Sequence, residues 1–114
     1  MVAINFSEQF AGPVERREKR QTIRRTAKCK PGDALQIYTG QRTKACRKLL
    51  DAICEDVRPV KITRGSLEVD GAVFMSDTAA AFARADGFAN YDEMWKWFSE
   101  RYKSSSFEGF VIRW

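Results

Sequence analysis

Short runs of alternating apolar and polar residues indicate several β-strands along this chain, because successive side chains on a strand point to opposite faces. Asp70-Gly71 is a two-residue turn signal, so a hairpin is predicted over residues 67–74. The other strands are predicted at residues 2–6, 21–25, 34–38 and 107–114. A terminal strand needs a partner strand to be stable, and the chain is therefore expected to build a sheet of several strands.

Apolar residues at helical spacing predict three helices. The first begins after Ser7, and the others cover residues 77–85 and 91–102. The last helix opens with the capping-box pair Asn90-x-x-Glu93. Its apolar face is expected to pack on the sheet, whereas Trp97 lies off that face and is either an exposed aromatic residue or a stacking platform for a ligand.

Residues 45–62 fit two different structures. Leu49 and Ile53 fall on one helical face, which favours a helix for the first part of the segment. Val60 and Ile62 are typical of a strand. The periodicity alone therefore favours a helix followed by a strand.

Length and composition indicate one globular domain over residues 1–114. A chain of this size buries about two-thirds of its unfolded surface, and a hydrophobic fraction of 44% with a charged fraction of 31% is ordinary for a soluble protein. No window approaches the roughly 20 apolar residues that span a bilayer, so no membrane partner is expected. The first six residues lack the basic start and the apolar run of a signal peptide.

Cysteine and histidine content restricts the chemistry that this chain can perform. Three cysteines without a C-x-x-C pair argue against a disulfide framework and favour a reducing, cytoplasmic compartment. Histidine is absent, which excludes Ser-His-Asp catalysis, Cys-His catalysis and histidine-ligated zinc. We therefore expect no metal and no cofactor, and any reaction must use Lys, Thr, Tyr, Cys or carboxylate side chains.

Positive charge is concentrated in the first part of the chain. Residues 1–64 contain fifteen Lys and Arg against seven Asp and Glu, whereas residues 65–114 contain five against eight. Clustered cations attract phosphates, and the release of counterions then favours binding. The asymmetry favours a phosphate-containing partner over a merely solvated basic surface.

The basic half contains a reactive cluster, Lys19-x-x-Thr22-x-Arg24, followed by the turn Lys30-Pro31-Gly32-Asp33. A threonine hydroxyl becomes a nucleophile when a neighbouring base takes its proton. Lys19 is the candidate base, provided that burial or nearby cations lower its pKa. Residues three apart on one strand face opposite sides, so Lys19 could not reach Thr22 from the same strand. Lys19 is therefore expected to lie in the turn before the strand that carries Thr22.

The same region contains candidate binding residues. Arg24 and Arg25 are suited to bidentate phosphate contacts, and Arg20 is a further cation beside them. Gln21 is a candidate for reading the edge of a base, and Tyr38, near a strand end, is a candidate for stacking on one. The alternative is that these arginines pair with acidic residues on the surface.

These segments resemble the ASCH family of PUA-related domains, and the similarity covers nearly the whole chain. The Lys19-x-x-Thr22-x-Arg24 motif and the turn after it carry the first half of the resemblance. The second half rests on three segments in the expected order, Ala85-Asp86-Gly87-Phe88, Tyr91-Asp92-Glu93-Met94-Trp95 and Phe110-Val111-Ile112-Arg113-Trp114. Relatives usually carry glycine at the position of Arg17 and glutamate at the position of Asp86.

The resemblance implies an α+β fold built on a small, partly closed β-barrel of PUA-like type, with about five to six strands and flanking helices. It also implies a strand, often bulged, through residues 45–62. A basic cleft is expected between residues 19–24 and Asp86. Its partner is expected to be RNA, a nucleotide or a nucleoside, bound by a monomer or a weak dimer.

Several functions remain open at this point. The first is binding of RNA or of a modified nucleoside or nucleotide. The second is hydrolysis, since some small bacterial ASCH-like proteins remove the acetyl group from N4-acetylcytidine with a lysine, a threonine and a glutamate at the positions of Lys19, Thr22 and Asp86. A ribonuclease that uses Lys19 as electrophile is a further variant. The last is a protein-interaction module whose basic surface meets an acidic partner.

Overall fold

A computed structural model describes residues 2–114 and shows an α+β protein. The described residues form eight strands: β1 (Val2–Phe6), β2 (Gln21–Arg24), β3 (Ala34–Thr39), β4 (Arg47–Ile53), β5 (Asp56–Thr63), β6 (Ser66–Val69), β7 (Ala72–Phe74) and β8 (Ser106–Arg113). They also form three helices: α1 (Glu8–Glu15), α2 (Ser76–Ala85) and α3 (Tyr91–Tyr102). No helix within residues 2–114 is both long enough and apolar enough to cross a membrane.

The strands are divided between two sheets. One sheet has the order β1-β3-β4, with β1 parallel to β3, and the other is antiparallel with the order β2-β8-β5-β6-β7. The α+β class is therefore confirmed. The expected number of five to six strands is wrong, because the described residues contain eight, and these form two sheets rather than a closed barrel.

Outside residues 45–62, the predicted elements are present with small shifts at their ends. The terminal strand β8 has two partners, β2 and β5, which supply the pairing that an isolated strand lacks. The hairpin around Asp70-Gly71 is formed by β6 and β7. Asn90 caps α3 through its side chain, whose Oδ1 accepts a hydrogen bond from the backbone N–H of Glu93 at 2.9 Å.

Residues 45–62 contain the strands β4 and β5, so the helix that periodicity favours for their first part is wrong. The pairing of β4 with β3 shifts register between Ile37 and Tyr38, which makes Leu49 an extra residue in β4. Leu49 is buried, whereas Ile53 is 58% exposed. The side chains of Leu49 and Ile53 therefore do not lie together on one buried face.

Within residues 2–114, two hydrophobic cores flank the large sheet. One lies between that sheet and the helices α2 and α3, and it is centred on Ile62, Leu67, Met94 and Val111. The other joins α1 to the small sheet and is centred on Val14, Leu35 and Ile37. Phe88 and Trp97 pack against both cores. The candidate site lies at this junction.

Candidate functional site

The turn after α1 directs Lys19 into the interior. Arg17 has a backbone φ of 63°, in the left-handed region, and the N–H groups of Glu18 and Lys19 both donate to the carbonyl of Pro13. These contacts end the helix and return the chain towards β2. Lys19 therefore lies before the strand and not on it, as predicted from the alternation of side chains along a strand.

Lys19 forms a buried ion pair with Asp86. Its Nζ lies 3.2 Å from Oδ1 of Asp86 and donates a 2.5 Å hydrogen bond to the main-chain carbonyl of the same residue. The side chains of Lys19 and Asp86 are 3% and 5% exposed. Gln21, on β2, donates from Nε2 to the same Oδ1 at 3.2 Å. An ion pair with Lys19 and a hydrogen bond from the neutral amide of Gln21 thus hold this carboxylate.

Burial is the dominant influence on the ionisation of this pair. It lowers the pKa of the Lys19 ammonium, against the opposing effect of Asp86, and the charge of Arg24 lowers that pKa further. Burial likewise raises the pKa of the Asp86 carboxyl, against the effect of Lys19. The Nζ of Lys19 also lies 5.4 Å and 5.0 Å from the ring centres of Phe6 and Phe10. Contact with these rings favours the charged ammonium, whereas burial favours the neutral amine and sets the downward direction of the Lys19 pKa.

Arg24 positions Thr22 and joins the two sheets. Its Nε donates to Oγ1 of Thr22 at 3.0 Å, and its Nη2 donates to the main-chain carbonyl of Asn5, on β1, at 2.6 Å. The guanidinium also lies over the ring of Phe6, with 5.2 Å between Cζ and the ring centre. Because Thr22 accepts from Arg24, its own hydroxyl proton remains available to a base.

These side chains open onto a cavity of about 260 Å³, called here the Lys19 cavity. Polar and charged side chains meet aromatic rings around it. The residues that line it are Asn5, Phe6, Ser7, Phe10, Lys19, Thr22, Ile23, Arg24, Asp86, Phe88, Trp97, Phe98, Arg101 and Tyr102. The combination of apolar walls with a few convergent polar groups and a shifted lysine pKa is typical of a ligand site.

The structure brings together four of the eight predicted site residues at this cavity, namely Lys19, Thr22, Arg24 and Asp86. Gln21 does not line it, since its buried side chain is directed to Asp86 and supports the carboxylate instead of reading a base. Arg25 lies beside the cavity, with its guanidinium 5.6 Å from the ring centre of Tyr102.

The remaining two predicted residues lie elsewhere. Arg20 is 55% exposed, donates to the main-chain oxygen of Trp114 and lies 3.6 Å from Glu55, so it is not the cation beside Lys19. Tyr38 is on β3 in the small sheet, where its hydroxyl donates to Gln36 at 3.2 Å. Neither lines the Lys19 cavity.

Several residues of the cavity are absent from the sequence-based prediction. Phe10 and Phe88 come from α1 and from the turn after α2, and their rings pack edge-to-face with 5.7 Å between centres. Trp97 contacts both rings, and the Cζ of Arg101 lies 5.2 Å from the ring centre of Trp97. In the sequence, the indication of this aromatic side of the cavity is the position of Trp97 off the apolar face of its helix.

Comparisons with family models, with curated proteins and with solved structures found no match for this chain. The ASCH resemblance therefore stays a prediction from the motif residues. Within residues 2–114, no three Cys, Asp or Glu side chains are grouped as metal ligands would be.

Proposed function

We propose that the Lys19 cavity binds a single nucleoside unit, either free or as part of a nucleotide. The observation that carries this proposal is the meeting of aromatic rings with the buried pair of Lys19 and Asp86 in one cavity. At about 260 Å³ the cavity is close to the small end of ligand pockets, which start near 300 Å³. Trp97 offers a ring for a base, and Thr22 and Asn5 offer hydrogen-bonding groups.

We also propose that the chain is an ASCH-like domain. The position at which relatives carry glycine is Arg17, and its φ of 63° is a conformation that glycine adopts without strain. Two motif segments of the resemblance, around Lys19 and around Asp86, meet at the cavity. The two sheets, joined through the hydrogen bond from Arg24 to Asn5, are in this proposal an open form of the PUA-like barrel.

Hydrolysis of an acylated nucleoside is the second candidate, favoured by the state of Lys19. Burial lowers the pKa of its ammonium, so a neutral amine is more accessible as a general base. In this scheme Lys19 takes the hydroxyl proton of Thr22, whose oxygen forms a bond to the acetyl carbon of N4-acetylcytidine. The C–N bond then breaks, the proton passes to the leaving amine, and water releases the acetyl group from Thr22.

Arg24 and Asp86 would support this reaction without forming bonds to the acetyl group. The Nε of Arg24 donates to Oγ1 of Thr22, which stabilises negative charge as that oxygen loses its proton. The Asp86 carboxylate holds Lys19 and is itself held by Gln21. The contacts therefore favour an orienting role for Asp86.

The test is calorimetric titration with cytidine, together with an assay for release of cytidine from N4-acetylcytidine. We expect cytidine to bind the parent protein and to change the fluorescence of Trp97, with Trp97→Phe identifying that signal. Thr22→Val removes the nucleophile at almost constant volume, and Arg20→Ala is the matched control outside the cavity.

The outcomes separate the two candidates. Release of cytidine by the parent and by Arg20→Ala, but not by Thr22→Val, would establish the hydrolase. Binding without release would support the nucleoside site and end the hydrolase proposal. Absence of both in a folded protein would refute the nucleoside site.

A further inference from the structure

A second cavity, of about 250 Å³, is also lined by Asn5 and Arg24, the two residues whose hydrogen bond joins β1 to β2. It lies between β1 and the segment that follows β2, and we call it the Lys28 cavity. Its polar lining comes from Asn5, Arg24, Arg25, Thr26 and Lys28.

The chemistry of the Lys28 cavity suits an anion. Arg24, Arg25 and Lys28 contribute three cations, Thr26 contributes a hydroxyl group, and none of the described residues that line the cavity is acidic. Two of the five N–H donors of Arg24 bond to Thr22 and Asn5, which leaves others for a ligand. The strand β1 is an edge strand, so the side that faces away from β3 presents further backbone N–H groups.

The two cavities share their dividing wall. Asn5 and Arg24 line both of them, so a ligand that fills one cavity approaches the other at the Arg24 guanidinium. Arg25 makes a second connection, because it lines the Lys28 cavity while it stacks over Tyr102, which lines the Lys19 cavity. A planar guanidinium between a base site and an anion site is well suited to a phosphate oxygen.

We propose that the Lys28 cavity binds the phosphate group attached to the nucleoside in the Lys19 cavity. The preferred ligand is then a nucleotide, whose phosphate comes either from a free monophosphate or from an RNA strand, and a nucleoside alone fills half of the site. This inference rests on the proposed nucleoside site and assigns to it a second subsite. Lys28 and Arg25 are exposed, so the contribution of the phosphate falls as salt rises.

The experiment compares the affinities of cytidine, cytidine 5′-monophosphate, cytidine 3′-monophosphate and a cytidine trinucleotide at low and at high salt. We expect at least one monophosphate to bind about tenfold or more tightly than cytidine at low salt, as one or two charge-assisted contacts would give. Equal affinity of a monophosphate and the trinucleotide indicates a free nucleotide, and tighter binding of the trinucleotide indicates RNA.

Two lysine variants separate a built subsite from general electrostatic attraction. Lys28→Gln removes a cation of the cavity, and Lys30→Gln removes a cation two residues away that is also exposed but does not line it. We expect Lys28→Gln to weaken monophosphate binding several-fold without changing cytidine binding, and Lys30→Gln to change neither. Thr26→Val is a second variant with the same expectation as Lys28→Gln.

Equal affinities of cytidine and both monophosphates would overturn the phosphate subsite while the nucleoside site survives. Equal losses in the Lys28 and Lys30 variants would also overturn it, because the attraction would then be general. If cytidine does not bind and a monophosphate binds through Lys28 alone, the proposed nucleoside site fails, and the link between the two cavities fails with it.

Discussion

The ammonium nitrogen of Lys19 lies 3.2 Å from the carboxylate of Asp86, although 67 positions separate the two residues in the chain. Both side chains are almost completely buried, so solvent does not screen their interaction. The pair also connects the turn after α1 to the end of α2. It is therefore a structural link as well as a candidate catalytic element.

Removal of one member of this pair should be costly. We expect Lys19→Met to lower the free energy of unfolding by about 3–5 kcal/mol, because the buried Asp86 carboxyl would lose its charged partner. The double variant with Asp86→Leu should lose less than the sum of the two single variants. Urea unfolding of the parent, the two single variants and the double variant measures this coupling. Strictly additive changes in the free energy of unfolding would contradict it.

Arg17 is a site at which glycine should stabilise the protein. Its φ of 63° costs an L-residue roughly 1–2 kcal/mol, and the greater freedom of glycine in the unfolded chain offsets part of that gain. We expect Arg17→Gly to raise the free energy of unfolding by up to about 1 kcal/mol. Arg16→Gly is the matched control, since Arg16 has a φ of −80°, where glycine relieves no strain. That variant should lower the free energy of unfolding. A loss at both positions would refute the argument from backbone conformation.

Gly87 is required both for its conformation and for the space beside it. Its φ is +99°, and an added Cβ would lie 3.2 Å from the ring of Phe10 and 3.6 Å from Cδ of Lys19. Gly32 has a similar φ of +94° with no atom within 4 Å of an added Cβ. Gly32→Ala should therefore lower the free energy of unfolding by about 1–2 kcal/mol through backbone strain alone. Gly87→Ala should lower it by about 1–3 kcal/mol more, because the added methyl group also crowds its neighbours.

Thermal or urea unfolding of the two glycine variants checks this difference. Gly87→Ala should also weaken cytidine binding, because the shift of Phe10 changes the wall of the Lys19 cavity. Equal losses of stability in the two variants would show that the packing beside Gly87 is unimportant.

Tyr91 gives the protein a dependence on alkaline pH. Burial raises the pKa of its phenol to about 12 from an ordinary value of 10.0. The folded state therefore keeps this proton to a higher pH than the unfolded state, so a contribution to stability that is complete below pH 10 is lost as pH rises through about 12. We expect Tyr91→Phe to remove that part of the pH dependence.

The same variant tests the hydrogen bonding of Tyr91 at neutral pH. Its hydroxyl lies 2.5 Å from the carbonyl of Thr63 and 2.6 Å from that of Ser66, at the turn between β5 and β6. We expect Tyr91→Phe to cost about 1–2 kcal/mol at pH 7, measured by urea unfolding. If the difference between parent and variant stayed constant from pH 9 to pH 12, the assignment to Tyr91 would be wrong.

Local patterns in the sequence predict most of the elements, because alternation and helical spacing report which face of an element is buried. They fail for residues 45–62, where the spacing of Leu49 and Ile53 fits a helix. The structure places an extra residue in β4 opposite β3, and that register shift depends on a strand elsewhere in the chain. A local pattern carries no information about such a partner.

For the candidate site, too, part of the arrangement follows from the sequence alone and part from tertiary contacts. The sequence by itself determined the absence of histidine chemistry, the basic first half and the position of Lys19 before its strand, since each follows from composition or from strand geometry. Only the tertiary structure decided that Gln21 supports Asp86, that Arg20 and Tyr38 lie elsewhere and that Trp97 forms a wall. These placements depend on contacts between segments far apart in the chain, and packing of the whole domain selects them.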